Sequence, residues 1–204
     1  MAFENNVFVN CPFDQDYRKF LEPLLFSILS CGYEPRISET HDSGANRLTH
    51  IIDMVINSKF SIHDLSRMVA NEVGELARFN MPFELGIDIG ARNSGDLNLA
   101  QKKCLILDTH KYRYQAALSD IAGNDIEIYD SEIEVIIRCV RNWLSIQSGH
   151  RGPGPKRILE DFYAFKVDFQ ETLTQDGFSK SDINNLPKSE YISLASEWIS
   201  AQRG

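Results

Sequence analysis

The sequence predicts an α/β fold, a parallel sheet with helices on both faces, followed by a C-terminal helical appendage. Short apolar runs alternate with amphipathic stretches at the spacing of strand–helix–strand units. A Gly/Pro-rich break, Ser148-Gly149-His150-Arg151-Gly152-Pro153-Gly154-Pro155, interrupts that alternation. Beyond the break only helical patterns follow. The expected layout is an α/β domain over 1–147, a linker over 148–155 and a helical extension over 156–204.

The elements follow in order. Val7 to Asn10 is a short apolar strand ending at Cys11-Pro12. Asp16 to Cys31 carries Tyr17, Phe20, Leu21, Leu24, Leu25, Ile28 and Leu29 at helical spacing, and Gly32 stops it. Tyr33 to Ser38 reads as a shorter strand, placed at an edge by Pro35. Asn46 to Asn57 is a helix through Leu48, Ile51, Ile52 and Val55, and Phe60 to Asp64 is a third strand. Phe83 to Ala91 is a short helix, Lys103 to Asp108 a buried strand and Ile126 to Tyr129 the last strand. Ser131 to Ile146 is a helix with Ser131 as its cap. The extension gives one helix from Lys156 to Thr174, ended by Asp176-Gly177, and another from Lys188 to Gln202. No internal repeat or low-complexity tract is present.

Composition narrows the classes. The chain has 204 residues, 43% hydrophobic and 25% charged, as in ordinary globular proteins. A formal net charge of -8 argues against nonspecific binding to nucleic acid or to membrane surfaces. No apolar run is long enough to cross a bilayer. Met1 to Asn6 lacks the basic and apolar regions of a signal peptide, so cytoplasmic location is the default expectation. Cys11, Cys31, Cys104 and Cys139 form no CxxC or Cys/His pattern, so they read as reduced thiols, with no metal site expected. Cys11, at the end of the first strand, would need a histidine base to act as a nucleophile, and the sequence supplies none beside it.

The segment Arg78-Phe79-Asn80-Met81-Pro82-Phe83-Glu84-Leu85-Gly86 is the most informative for chemistry. Asn80 reads as a helix cap and Pro82 suits a helix start. Glu84 then falls in the first turn, where the helix dipole favours a negative charge. Such a carboxylate can stabilise positive charge forming on a ligand; the plain alternative is an acid that only stabilises its helix. Ligands of open parallel sheets bind beyond the carboxyl ends of the strands. That rule gathers Asn10, Pro12, Phe13 and Asp14 after the first strand, Asp64 after the third and Asp108 after the fourth, together with Glu84. Each of these polar residues could instead be a strand-end cap. No GxGxxG and no Walker loop is present. His41 to Arg47 is a turn entering a helix, through which Arg47 could meet a phosphate or ribose. His110 to Tyr114 alternates cations with aromatics, which suits an exposed loop or base stacking.

Asn10-Cys11-Pro12-Phe13, Asp64-Leu65-Ser66 and Phe83-Glu84-Leu85-Gly86 occur in an order that resembles nucleoside 2-deoxyribosyltransferase-like proteins and the neighbouring TIR-like nucleotide-cleaving proteins. The resemblance covers roughly residues 6 to 145 and does not extend to residues 150 to 204. It implies a flavodoxin-like sheet and cleavage of an N-glycosidic bond in a nucleoside, nucleotide or NAD, without a cofactor. It puts the anomeric-carbon role on Glu84, contact with base or sugar on Asp64, and the sugar pocket on Asn10, Pro12 and Phe13. The Cys-Pro-Phe-Asp loop and Asn80-Met81-Pro82 depart from the transferases. Relatives of this fold also serve as effectors in bacterial antiviral systems. A non-catalytic nucleotide-sensing module is the alternative. In the tail, Phe162, Phe165, Phe169, Tyr191 and Trp198 are too many aromatics for two solvated helices. They must pack on the sheet domain or on another subunit, and the expectation is a homo-oligomer with the tail at or near the interface.

Overall fold

A computed structural model describes residues 3–39, 44, 46–68, 78–121 and 123–203. Five strands form one all-parallel sheet in the order β2-β1-β3-β4-β5: β1 Asn6–Asn10, β2 Glu34–Ile37, β3 Phe60–Asp64, β4 Lys103–Asp108 and β5 Ile126–Ile128. This is the flavodoxin-like order, whose direction of winding reverses between β1 and β3. The edge position expected for the Pro35 strand is found, and β5 forms the other edge.

Helices cover both faces. On one side α2 (Arg47–Ile56) and α3 (Asn80–Arg92) lie against each other, with Ile51, Met54 and Val55 closing over Phe8. Asn46 caps α2, accepting from the Leu48 and Thr49 amides at 3.0 and 3.2 Å. On the other side α1 (Arg18–Ser30) packs beside α4 (Ile133–Ser148). Every residue of α1 from Phe20 to Ser30 is buried, the signature of a helix covered all round.

The second cover over α1 is the C-terminal extension. It forms α5 (Pro155–Gln175), α6 (Lys180–Asn184) and α7 (Lys188–Arg203), and both α5 and α7 contact α1. Phe165 is 2% exposed; its ring lies 5.4 Å from Phe26 of α1 and 5.6 Å from Tyr191 of α7. Glu22 of α1 is buried between Arg18 at 2.5 Å and Lys166 of α5 at 2.6 Å. The Tyr191 hydroxyl donates to the Glu22 carbonyl at 3.2 Å. The tail aromatics are therefore covered by the chain's own α1, and they no longer argue for a second copy. The stretch expected to be a linker is packed as well. Gly149 ends α4 in the left-handed conformation at φ +71°, and a Cβ on Gly152 would meet Cys31 Sγ at 3.4 Å. Arg141 holds the carbonyls of Pro153 and Gly152 at 2.7 and 3.0 Å. None of the described helices is long and apolar enough to cross a membrane.

Candidate functional site

Where the winding reverses, the position at which this sheet order binds ligands, the ends of β1 and β3 meet α3. Asn10 is buried at that junction. The Asn10 amide Nδ2 donates to the Met81 carbonyl of α3 at 2.8 Å and stands 2.9 Å from His63 Nδ1. Met81 O fixes which end of the amide points inward, so in the neutral ring Nδ1 accepts and the proton sits on Nε2. That Nε2 donates to Asp88 Oδ2 of α3 at 3.2 Å. Asp88 also accepts from the Ser61 hydroxyl and pairs with the buried Lys102 ammonium at 3.0 Å. Lys102 in turn donates to the carbonyls of Val55, at 2.7 Å, and Ser58. A fully buried charge network thus ties β1, β3 and α3 together.

Electrostatics set the charges of this network. Burial alone would raise the Asp88 pKa, but the His63 hydrogen bond and the charges of His63 and Lys102 pull it down to about 2. For His63, burial opposes the imidazolium, while the Cys104 sulfur and Asp88 outweigh it and raise the pKa to about 9. Charging the ring puts a proton on Nδ1 and obliges Asn10 to turn its oxygen inward, at the expense of Met81 O. His63, Asp88 and Cys104 bring three metal-ligating atoms within 4.8 Å of one another. The Lys102 ammonium on the same carboxylate opposes a dication there.

Glu84 is the open group of this region. It is 5% exposed, and among the described residues its carboxylate has no hydrogen-bond or ion-pair partner. Burial raises its pKa, and the charges of Arg47 and His63 pull the other way. Its place in the helix differs from expectation. Phe79, with no side-chain capping bond, precedes α3, Asn80 is already helical and exposed, and Glu84 is the fifth helical residue. The expected Asn80 cap is thus absent, and the dipole argument for Glu84 lapses because that field fades beyond the first turn. The fields of Arg47 and His63 take its place.

The other expected residues separate into two groups. Pro12 is buried and Phe13 is 36% exposed beside it. Arg47 opens α2 and is exposed, within electrostatic reach of Glu84; residues 40–43 and 45 of its loop lie outside the described residues. Asp14 accepts from the Tyr17 amide at 2.9 Å and pairs with Arg67 at 3.4 Å and Arg78 at 3.1 Å. Asp64 and Asp108 are sealed. Asp64 is fully buried, accepting from the Tyr17 hydroxyl at 2.6 Å and the Ser66 amide at 2.7 Å. Burial raises its pKa against those hydrogen bonds. Asp108 accepts from the Thr109 amide at 2.6 Å and from Arg113, leaving its buried Oδ2 without a partner. For these two acids the strand-end alternative fits the geometry. Cys11 is buried, and burial with the charges of Asp64, Glu84 and Asp14 pushes its thiol pKa well up, away from a nucleophilic thiolate.

His63, Asp88 and Lys102 were not picked out as site residues from the sequence. His63 alternates with Ile62 and Asp64 along β3, and Asp88 falls one helical turn after Glu84, so strand and helix periodicity together could have paired them. No protein-family model matches the chain, and no curated protein matches it.

Proposed function

We propose that the protein cleaves an N-glycosidic bond of a nucleoside, nucleotide or NAD, with Glu84 at the anomeric carbon. The observation that carries this reading is the Glu84 carboxylate itself. It is nearly buried, lacks a partner among the described residues, and sits beside the crevice where this sheet order binds ligands. A buried carboxylate without a partner is costly unless a ligand supplies one. The C1–N bond breaks with its electron pair leaving on the base. Glu84 either attacks C1, giving a glycosyl ester that water or a second base resolves, or holds the cationic sugar by its field. A neutral base must gain a proton as it leaves, whereas a cationic base such as nicotinamide needs none. The order of the Asn-Cys-Pro-Phe loop, the Asp64 strand end and Phe-Glu-Leu-Gly supports the same chemistry by resemblance.

A second reading, a nucleotide-sensing module, is favoured by one observation. Asp64 has both oxygens occupied, so the second acid of the proposed pair is closed to a substrate. The two readings part on base release. Purified protein is incubated with nucleosides, nucleotides and NAD and free base is followed by chromatography. Release that depends on Glu84 supports the enzyme, and saturable binding without release supports the sensor.

A further inference from the structure

We propose that a cleft of about 480 Å³ beyond the carboxyl ends of β3, β4 and β5 binds a phosphate-bearing small molecule. This site is separate from Glu84, which does not line it, and it does not rest on the reaction assigned to that residue.

Three cations line the cleft in a chain whose net charge is -8: Lys19, Arg67 and Arg113. Both guanidiniums are anchored from behind. Arg113 is held by the buried Asp108 and by the Ser66 carbonyl at 2.9 Å, and Arg67 by Asp14 at 3.4 Å. An arginine oriented in this way keeps further donors for an oxyanion and loses little side-chain freedom on binding it. Lys19 has no carboxylate partner among the described residues; its ammonium lies 5.0 Å over the Phe20 ring. Thr109 and Ser131 add hydroxyl groups to the lining, and Asp16 is the acid on it, exposed.

The backbone favours the same ligand charge. The cleft takes in the first turn of the 13-residue α1 and, through Ser131, the entry to the 16-residue α4. Neither helix start, at Tyr17 or Glu132, has a side-chain capping bond. The Tyr17, Arg18 and Phe20 amides at the start of α1 are held by the carbonyls of Asp14, Gln15 and Tyr17, so the backbone contribution falls on the entry to α4, where first-turn amides favour phosphate oxygens. The acids behind the two arginines leave little net local charge. Recognition therefore rests on directed donors more than on bulk attraction, which suits a small phosphate ester better than a polyanion.

The test is calorimetric titration of the full chain with inorganic pyrophosphate, in parallel with Lys19→Glu, Arg67→Glu and Glu84→Gln. Arg113 is left intact because it neutralises the buried Asp108. The expected result is one saturable site tighter than about 1 mM, weakened at least about tenfold in the Lys19 and Arg67 variants and unchanged in the Glu84 variant. No saturable binding by the parent overturns the proposal. So does a loss smaller than about threefold in either cleft variant, or a gain in Glu84→Gln, whose lost negative charge would strengthen binding of a phosphate placed in the other crevice.

Discussion

Phe165→Ala should destabilise the whole chain as one unit. Phe165 is 2% exposed and contacts the rings of Phe26, Phe169, Tyr191 and Trp198, at 5.4, 5.3, 5.6 and 5.9 Å. A buried phenylalanine removes roughly 150 Å² or more of apolar surface from water, worth about 4 kcal/mol at 25 cal/mol per Å². Large-to-small changes of this kind cost about 3 to 5 kcal/mol. In a chain of this length that lowers the melting midpoint by roughly 6 to 20 °C. The two tryptophans report on different layers. Trp143 of α4 packs edge-on to Phe60 of β3 at 5.8 Å, and Trp198 of α7 lies 6.1 Å from Phe26 of α1. Urea unfolding followed by fluorescence in Trp143→Phe and Trp198→Phe backgrounds reads them separately. Both transitions should move together in Phe165→Ala, with the slope unchanged. If only the Trp198 report shifts, the tail folds independently and α1 does not join the two layers.

Asp88 should make the protein acid-sensitive in a defined window. Its folded pKa of about 2 lies below the ordinary 3.8, so its stabilisation is present above about pH 4 and is lost as the pH falls toward 2. Asp88→Asn should remove that acid limb and cost about 3 kcal/mol at neutral pH by orphaning Lys102; an unchanged acid transition counts against the network. Arg47→Ala should move the acid limb of any Glu84-dependent turnover to higher pH, because Arg47 favours the charged carboxylate; a limb that stays or falls contradicts their coupling. Asn10→Asp replaces the amide NH2 facing His63 Nδ1 with an acceptor, so the His63 pKa should rise in an NMR titration, and a fall would refute the hydrogen bond.

Much of the fold was legible because its signals are local. The five strands and the Pro35 edge follow from periodicity and backbone chemistry within a few residues. The fate of the tail was not local. A stripe such as Phe162, Phe165 and Phe169 states that a partner surface exists but does not name it. The near-continuous apolar character of α1, from Phe20 to Ile28, was the unused clue that this helix needs cover on two sides. The capping pair Ser179 and Asp182 likewise announced α6. At the candidate site the sequence singles out Glu84 by its expected place in a first helical turn, whereas the structure sets it apart by its lack of a partner among the described residues. The helix starts earlier than Asn80 suggests, and the field that favours the charge comes from Arg47 and His63, distant in sequence. Asp64 and Asp108 could not be told from ligand-facing acids without the through-space partners Tyr17 and Arg113.

The central claim, that Glu84 performs glycosidic cleavage, is tested most directly by base release from parent and Glu84→Gln across the nucleoside, nucleotide and NAD panel. Gln preserves size and hydrogen bonding while removing the charge. The account predicts release of one base by the parent and a loss of about a hundredfold or more in the variant, with its unfolding transition unchanged. Release at the parental rate by Glu84→Gln would contradict it.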